Sequence, residues 1–326
     1  MPKINRNRNF VIIRTDRIGE VLLSTIAVDA IRRSYPEAEV TFVTSEYASG
    51  LLDGRSDIKE VLTADTTGGN AGLKEALGLA IELRKRKFDV SVVMNPHKAL
   101  HLACFLAGIP VRAGYDRKWG FLLNRKVRDL RDSGRKHEVD YAMDLLREVG
   151  VEGPPPDPRL EVSPDARSRL ERVLGPVPVS GEAALVVLHP GSSNPAKMWP
   201  PENYGDLAVK IKADFNCQIA LIGDSGEKVL AVRIKERSEA EFLDLTGKLS
   251  LPELSALLER AALFIGNDAG PMHMAAALKV PVIALFGRNI PGVSPLRWGP
   301  WGEGNIVLHE GAGCDPCYDS ECPYDH

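Results

Sequence analysis

Residues 185–200 read LVVLHPGSSNPAKMWP, and this stretch indicates both a fold and a place for chemistry. The apolar run at 185–188 is typical of a buried strand, and a helix is expected to begin near Glu202. Between them lies a loop of small residues that carries one lysine, Lys197. Backbone N–H groups in such a loop can turn towards a ligand, and the lysine adds a full positive charge. The pattern predicts an anion site, most often for phosphate, although Lys197 could also be a solvated surface lysine.

Strand-like and helix-like segments alternate on both sides of this loop. Strands are expected at residues 10–14, 40–44, 58–62, 90–94, 185–188, 218–222, 242–245, 263–265, 282–286 and 306–308. This rhythm predicts doubly wound α/β sheets of parallel strands, which bind ligands beyond the carboxyl ends of their strands. Several prolines interrupt residues 151–178 and predict an interdomain connection. We therefore expect two Rossmann-like domains with parallel sheets facing a central cleft, at residues 1–160 and 180–326, and a linker at 161–179.

The composition is that of globular domains and excludes several classes. The 326 residues are 44% apolar and 26% charged, with a formal net charge of −3. A nucleic-acid binder would more often be basic, so no nucleic acid is expected as a partner. No apolar stretch approaches the roughly 20 residues of a transmembrane helix, and the basic start of the chain does not resemble a secretory signal. We expect a cytoplasmic protein.

Three of the five cysteines cluster near the end of the chain, at Cys314, Cys317 and Cys322, and His326 follows them. This group is either a zinc site or a set of idle, reduced thiols; the spacing matches no strong zinc template. Cys104 and Cys217 lie within strand or helix patterns and are expected to be small buried hydrophobes.

Two carboxylates, Asp16 and Glu20, follow the first predicted strand. They lie where a strand ends and a helix begins, so one of them could be a general base at the ligand-binding edge. Alternatively, they are acidic residues that stabilise the first turn of the helix. The loop lacks the G-x-G-x-x-G pattern, which argues against a nicotinamide oxidoreductase.

Glu227 lies in a glycine-rich turn, GDSGE at 223–227, after another predicted strand. It could accept hydrogen bonds from ribose hydroxyls, or it could be an ordinary first-turn glutamate.

A second anion site is predicted where the strand that ends at Gly266 leads into a helix. Pro271 suits the first helical position, so the N–H groups of Ala269 and Gly270 are expected to point at a ligand. His273, in the first turn, either packs against its surroundings or contacts phosphate or sugar.

Together these segments resemble glycosyltransferase family 9, the bacterial heptosyltransferases. The loop after the first strand is similar to a family motif at Arg14, Asp16, Ile18, Gly19 and Glu20. The stretch at 185–200 is similar to a second family motif at His189, Pro190, Gly191, Lys197, Trp199 and Pro200. The resemblance continues through Gly223 and Glu227 and through Asp268, Gly270, His273, Ala275, Ala276 and Ala277. Residues 281–287 and 137–140 are also family-like. One departure concerns Glu20, because the family usually has aspartate there.

The resemblance implies a GT-B fold and an inverting, metal-independent transfer of heptose from ADP-heptose to the lipopolysaccharide inner core, of the Kdo–lipid A type. No cofactor is implied. Peripheral contact with the inner face of the inner membrane would suit such an acceptor. The base is expected to be Glu20, with Asp16 as the fallback, and Lys197 is expected to bind the leaving diphosphate. The remaining donor-binding residues would be Ser192, Ser193, Glu227, Asp268, Ala269, Gly270 and His273. The candidates for binding the anionic acceptor are Lys98, Arg112, Arg117 and Lys118, each of which could instead be a solvated charge.

Other functions stay open at this point. A member of the same family could use another nucleotide sugar or acceptor. A nucleotide-sugar epimerase shares the two-domain architecture, and a non-catalytic nucleotide-binding protein would share the anion sites. Calorimetry with ADP tests binding, and ADP release in the presence of an acceptor separates catalysis from binding alone.

Overall fold

The computed structural model describes residues 8–64, 66, 72–175, 183–288 and 290–309. The chain forms two compact units, Met1–Arg159 and Leu160–His326. Each unit is built around one six-stranded sheet in which every described pair of neighbouring strands is parallel. The predicted fold class, α/β with two Rossmann-like sheets, is confirmed.

The first unit has the strand order β3-β2-β1-β4-β5-β6. Its strands are β1 (Asn9–Ile13), β2 (Glu39–Thr44), β3 (Glu60–Thr63), β4 (Val90–Val93), β5 (Val111–Tyr115) and β6 (Arg125–Val127). Its helices are α1 (Ile18–Ser24), α2 (Ile26–Ser34), α3 (Glu46–Ser49), α4 (Leu73–Arg86), α5 (Lys98–Leu106) and α6 (Glu138–Arg147). The order reverses between β1 and β4, and the carboxyl ends of strands at such a reversal form the ligand crevice of doubly wound sheets.

The second unit repeats this topology, with the order β12-β11-β10-β7-β8-β9. Its strands are β7 (Ala184–His189), β8 (Cys217–Leu221), β9 (Phe242–Asp244), β10 (Leu263–Asn267), β11 (Val282–Leu285) and β12 (Ile306–Leu308). Its helices are α7 (Pro164–Leu174), α8 (Pro201–Asp214), α9 (Lys228–Arg237), α10 (Leu251–Leu258), α11 (Gly270–Ala277) and α12 (Pro295–Trp298). Here the order reverses between β7 and β10.

The cores explain why these segments form central strands. In the first unit, Val11 and Ile13 of β1 are fully buried and pack with Leu83 of α4 and Leu100 of α5. In the second unit, Leu188 packs with residues of α8 that include Tyr204. Such strands are covered on both faces, so they appear in the sequence as continuous apolar runs rather than alternating ones.

Two features differ from the sequence expectations. The apolar spacing at 21–31 predicts one helix, but the structure has α1 and α2 with a junction at Thr25. The Thr25 hydroxyl donates to the Leu22 carbonyl at 2.7 Å and accepts from the Arg159 backbone N–H at 3.2 Å. The other difference is that β5 and β6 do not appear among the expected strands.

The segment at 161–179 contains α7, which begins at a Ser163 cap whose hydroxyl accepts a hydrogen bond from the Ala166 N–H at 3.1 Å. This helix packs on α10 within the second unit. The domain bounds and the linker stay a prediction.

Cys104 and Cys217 are buried free thiols, as expected. The predicted zinc or thiol cluster at Cys314, Cys317, Cys322 and His326 lies outside the described residues. None of the helices in the described part of the chain combines the length and apolar character needed to cross a membrane.

Candidate active site

The loop that follows β1 is anchored by Arg14, whose side chain is 3% exposed. Its Nε donates to Asp16 Oδ1 at 2.6 Å, and its Nη1 donates to Glu138 Oε1 at 3.0 Å and to the Met94 carbonyl at 3.3 Å. Because Met94 follows β4, this guanidinium joins the carboxyl ends of the two strands at which the sheet order reverses. The loop therefore lies at the ligand-binding crevice of the first unit.

Glu20 lies in the first turn of α1 and is partly buried. Its pKa is raised from 4.5 to about 7, first because burial disfavours the charged form and next because Asp16 is negative; Arg14 opposes both effects. A carboxyl that titrates near neutral pH is suited to accept a proton from a substrate. Asp16, in contrast, is already ion-paired with Arg14. The two carboxylates that the sequence left as alternatives thus have different surroundings.

In the second unit, a buried asparagine fixes the loop that follows β7. Asn267 Nδ2 donates to the Pro190 carbonyl at 2.7 Å, and its Oδ1 accepts from the Trp199 N–H at 3.0 Å. A short turn at Pro195–Lys197 begins at Asn194, whose side chain accepts from the Ala196 N–H at 3.0 Å. The loop conformation is therefore set by hydrogen bonds on both of its sides.

Lys197 lies inside this loop rather than on the surface. Its side chain is 13% exposed, and its Nζ is 2.5 Å from Asp268 Oδ2. Asp268 follows β10, and its carbonyl accepts from the Ser192 hydroxyl at 3.3 Å. Ser193 is exposed in the same loop. The solvated-lysine alternative does not describe Lys197, because its ammonium group is paired with a carboxylate that is itself 8% exposed.

The helix that follows, α11, begins at Gly270 after Ala269, with Pro271 in its first turn, in agreement with the sequence expectation. His273 is buried, and its ring centroid is 6.4 Å from that of Trp298 in an edge-on arrangement. The N-terminus of α11 therefore follows directly on the carboxylate that holds Lys197.

Glu227 occupies a closely fitted position in the turn after β8. Its Oε2 accepts from the Asp224 N–H at 2.9 Å and lies 3.4 Å from Nε2 of His189, at the end of β7. A Cβ atom added to Gly191 would lie 1.7 Å from Glu227 Oε1, and one added to Gly223 would lie 2.6 Å from Oε2. Two glycines thus make room for this carboxylate.

The electrostatics of Glu227 favour its charged form. Burial acts to raise the pKa of this carboxyl, but the His189 side chain and the Asp224 N–H outweigh burial, so the pKa is lowered. Glu227 closes a capping box with Asp224 and also has a fixed, ionised carboxylate. Both of the roles considered for it from the sequence are compatible with this geometry.

The candidate acceptor residues of the first unit differ in their availability. Lys98 and Lys118 are exposed, and Lys98 Nζ lies 5.9 Å from the centroid of the Trp119 ring. Arg112 instead holds backbone, because its Nε donates to the Leu122 carbonyl at 2.9 Å and its Nη1 to the Ile109 carbonyl at 2.5 Å.

Arg117 is exposed and pairs with Asp129 and Asp132, at 3.3 Å each. Lys98 and Lys118 are thus the more available cations of the four candidates.

Three polar residues of these sites are absent from the candidates chosen by sequence: His189, Asn267 and Glu138. His189 and Asn267 each end a buried strand, and a polar residue at such a position is a detectable signal. Glu138 lies in the family-like segment 137–140, but its contact with Arg14 crosses 124 residues of sequence and has no local signal. Within the described ranges, no group of three or more His, Cys, Asp or Glu side chains could hold a metal ion.

Comparison with known proteins places these sites in a family context. The family model described as glycosyltransferase family 9 (heptosyltransferase) matches residues 77–326. The chain is 26% identical over 298 residues to the lipopolysaccharide heptosyltransferase 2 of Escherichia coli K12, covering 87% of this chain and 84% of that relative.

Two solved structures share the fold. The glycosyl transferase family 9 protein from Veillonella parvula DSM 2008 has a TM-score of 0.83 at 22% identity, over 92% of this chain and 85% of that one. The E. coli ADP-heptose lipopolysaccharide heptosyltransferase II has a TM-score of 0.78 at 23% identity, over 94% and 91% of the two chains.

Proposed function

This chain belongs to glycosyltransferase family 9 and is a glycosyltransferase with the GT-B fold; from that premise we propose that it transfers heptose from ADP-heptose to the lipopolysaccharide inner core. The names of the similar heptosyltransferases support ADP-heptose as the donor and lipopolysaccharide as the acceptor, and the resemblance to the family implies the inner core. The observation that carries the proposal is Glu20, a carboxyl in the first turn of α1, directly after the crevice loop of the first unit, whose burial raises its pKa to about 7.

The reaction is a single displacement that inverts the anomeric centre. The acceptor oxygen attacks the anomeric carbon as the bond from that carbon to the diphosphate oxygen breaks. Glu20 takes the proton of the attacking hydroxyl, and ADP leaves with the bonding electron pair. An oxocarbenium-like transition state places positive charge on the sugar and negative charge on the leaving group, so both charges need stabilisation.

Lys197 is the residue we assign to the leaving diphosphate. Asp268 holds its ammonium group at 2.5 Å, so the lysine is already in place before a ligand binds. The N–H groups at Ala269 and Gly270 and the Ser192 hydroxyl extend the same anion site, with Ser193 and His273 at its border. Because a lysine and a helix N-terminus supply the positive potential, this scheme needs no metal ion.

Glu227 is the residue we assign to the ribose of the donor. Its lowered pKa keeps it ionised at neutral pH, and an ionised carboxylate accepts hydrogen bonds from hydroxyl groups. The close fit against Gly191 and Gly223 restricts the directions in which the carboxylate can face. The donor nucleotide would thus be held at both its ribose and its diphosphate.

We place the anionic acceptor at Lys98 and Lys118, beside the exposed Trp119. Inner-core sugars and lipid A phosphates carry negative charge, and exposed lysines are suited to bind them as mobile point charges. An acceptor of this type is anchored in lipid, so we also propose a cytoplasmic enzyme that contacts the inner face of the inner membrane peripherally.

The test is a donor screen with purified deep-rough lipopolysaccharide as the acceptor. ADP-heptose is compared with other nucleotide sugars, and nucleotide release is measured together with product mass. We expect ADP release that depends on the acceptor and a product heavier by one heptose. Transfer from another donor would replace the substrate assignment.

The replacement of the family's usual aspartate by Glu20 favours one second candidate, a protein that binds the nucleotide without transferring the sugar. Calorimetric binding of ADP without release in the presence of any acceptor would support that function. Comparing Glu20→Gln with Asp16→Asn identifies the base. Loss of transfer only in the Asp16 variant would move the assignment to Asp16.

A further inference from the structure

A row of five charged side chains of alternating sign lies within the first unit and ends beside Glu20. Its members, in spatial order, are Asp129, Arg131, Glu138, Arg14 and Asp16. They come from three separate parts of the sequence, and the proposed reaction uses only the last of them, as a fallback base. We call this set the charge row.

The half of the charge row that lies away from Glu20 is rigidly held. Arg131 donates to both oxygens of Asp129, from Nε at 2.9 Å and from Nη2 at 3.0 Å. Its guanidinium also lies 4.0 Å from the centroid of the Tyr115 ring. With the guanidinium fixed on two sides, its Nη1 is placed 3.6 Å from Glu138 Oε1.

The half of the charge row beside Glu20 is joined to the Asp129–Arg131 half by the Glu138 carboxylate. The same Oε1 of Glu138 accepts a hydrogen bond from Arg14 Nη1 at 3.0 Å. Arg14 in turn donates to Asp16 from Nε at 2.6 Å. Glu138 therefore lies between two arginines, at the start of α6, a helix that contacts α1.

Because the charge row is buried, stability alone is a weak explanation for it. The exposed fractions of the side chains are 1% for Asp129, 10% for Arg131, 3% for Glu138 and 3% for Arg14, and only Asp16 reaches solvent, at 33%. Buried ion pairs are often no more stabilising than packed apolar side chains of the same volume, because desolvation offsets the attraction. The charge row ends beside Glu20, and this position supports a role in setting the charge around that carboxyl.

We propose that Glu138 is a positioning residue for Glu20: it holds Arg14 and compensates its charge, so that Arg14 neutralises Asp16 and leaves Glu20 able to accept a proton. This rests on the proposed function, in which Glu20 is the base. The guanidinium of Arg14 is occupied by Asp16 through Nε and by Glu138 and the Met94 carbonyl through Nη1.

The sign of the effect follows from the groups around Glu20. The charged groups that act on Glu20 are Asp16, Arg14 and Arg17 from the β1–α1 segment, and Glu138 of α6 acts through Arg14, to which it is hydrogen-bonded. Removing the charge of Glu138 takes away one negative group and leaves the positive charge of Arg14 less compensated. The uncompensated positive charge favours the ionised form of Glu20, so it lowers the pKa of that carboxyl.

The test variant is Glu138→Gln, which keeps the size of the side chain and an oxygen that can accept from Arg14. We expect the pKa of Glu20 to fall by about one unit, the lower end of the usual effect of a neighbouring charge. The acid limb of the kcat/KM profile should move to lower pH by the same amount. The plateau rate should fall as well, because a carboxylate of lower pKa is a weaker base. Glu138→Asp, which restores the charge, should return the pKa towards that of the wild type.

Asp57→Asn is the matched control, because it removes a carboxylate from another buried arginine of the same unit. The Arg55 side chain is fully buried, and its Nε and Nη2 each donate to Asp57 at 2.7 Å. This variant should lower the stability of the first unit without moving the pKa of Glu20 or the pH profile. A purely structural role for Glu138 predicts that the two variants behave alike.

The experiment measures the Glu20 carboxyl by carbon-13 NMR titration of the full chain without substrate, alongside the pH profile. An unchanged Glu20 pKa in folded Glu138→Gln overturns the proposal. If the Glu20 pKa falls but the pH profile of kcat/KM does not move, the charge row acts as proposed and Glu20 is not the base. That outcome contradicts the proposed function without contradicting the role of Glu138. Should Glu138→Gln not fold, Asp129→Asn weakens the charge row from its other end. This variant should also lower the pKa of Glu20, but by less than Glu138→Gln does. An unchanged Glu20 pKa in Asp129→Asn would overturn the proposal as well.

Discussion

Replacing Glu20 by glutamine should stabilise the protein at high pH while abolishing transfer. In the folded chain the pKa of this carboxyl is about 7, against an ordinary value of 4.5. Each pKa unit corresponds to about 1.4 kcal/mol, so ionising Glu20 lowers the free energy of unfolding by about 3 kcal/mol at most. Glutamine has no charge to desolvate, and the variant should recover much of this amount.

The sign and the pH window follow from the raised pKa. Between pH 4.5 and about 7, the unfolded chain has released the proton of Glu20 while the folded chain still holds it. The free energy of unfolding therefore falls by about 1.4 kcal/mol per pH unit as the pH rises through this window. Above it the loss is complete and constant, and below it the loss disappears. The stabilisation by Glu20→Gln should follow the same curve, near zero at low pH and largest at high pH.

Urea unfolding at several pH values measures the difference in the free energy of unfolding between wild type and Glu20→Gln. The contributions of the other titrating groups are the same in both proteins and cancel in this difference. Hydrogen exchange of peptides from the first unit shows whether the change is confined to that unit. Asp16→Asn is the companion variant: it removes the partner of a buried arginine, so it should destabilise the same unit. A pH-independent difference between wild type and Glu20→Gln would refute the reasoning, because it would mean that Glu20 titrates alike in the folded and unfolded chains.

Three further predictions concern the second unit and a helix of the first. Lys197→Ala should lower kcat by about 100- to 1,000-fold, the usual effect of losing one electrostatic contact with a leaving group. Circular dichroism should show an unchanged fold, and near-wild-type turnover would contradict the assignment. Gly191→Ala places a Cβ 1.7 Å from Glu227 Oε1, so it should displace that carboxylate and weaken ADP binding in calorimetry. Retained affinity would mean that Glu227 does not hold the nucleotide. Gly78→Ala, in the middle of α4, should instead stabilise the chain by about 1 kcal/mol, because the new Cβ would have no atom within 4 Å apart from its chain neighbours and the backbone of its own helix. A decrease in melting temperature would contradict this expectation.

The sequence predicts the central strands well because both of their faces are buried. The run at 10–14 appears as β1 at Asn9–Ile13, and the run at 185–188 appears as β7 at Ala184–His189. Continuous apolar stretches bounded by small or polar residues carry this signal without any tertiary information. The helix start at α11 is predictable for a similar reason, since Pro271 marks the first turn.

The peripheral strands β5 and β6 escape prediction because their residues do not form apolar runs. Arg112 and Gly114 interrupt β5, and β6 is an edge strand with exposed Arg125 and Lys126. These strands are stabilised by backbone hydrogen bonds to a neighbouring strand: β5 pairs with β4, and β6 pairs with β5. That stabilisation depends on neighbouring strands and leaves little trace in the segment itself.

The site is predictable to the level of its loops but not to the level of its charge pairs. Sequence reasoning selects Lys197 and Asp268 separately, and the structure joins them in one ion pair across 71 residues. It also selects Glu227 and, through the family motif, His189 and Gly191, but not the contacts between them that fix the carboxylate. Residues that follow adjacent parallel strands meet in space, and the order of strands in the sheet decides which of them become partners.

The two units place charged residues after the equivalent strand of the same topology, and the roles that we propose for them are opposite. Each has a loop that leaves the first strand of its sheet at the reversal of strand order. In the first unit two carboxylates, Asp16 and Glu138, surround the cation Arg14, and the pKa of the next carboxyl, Glu20, is raised to about 7, first by burial and then by the negative charge of Asp16. In the second unit Lys197 is paired with the single carboxylate Asp268, and the N-terminus of α11 adds the positive end of a helix dipole. The roles that we propose for the two units thus depend on burial of a carboxyl beside a compensated arginine in the first, and on a lysine beside a helix N-terminus in the second.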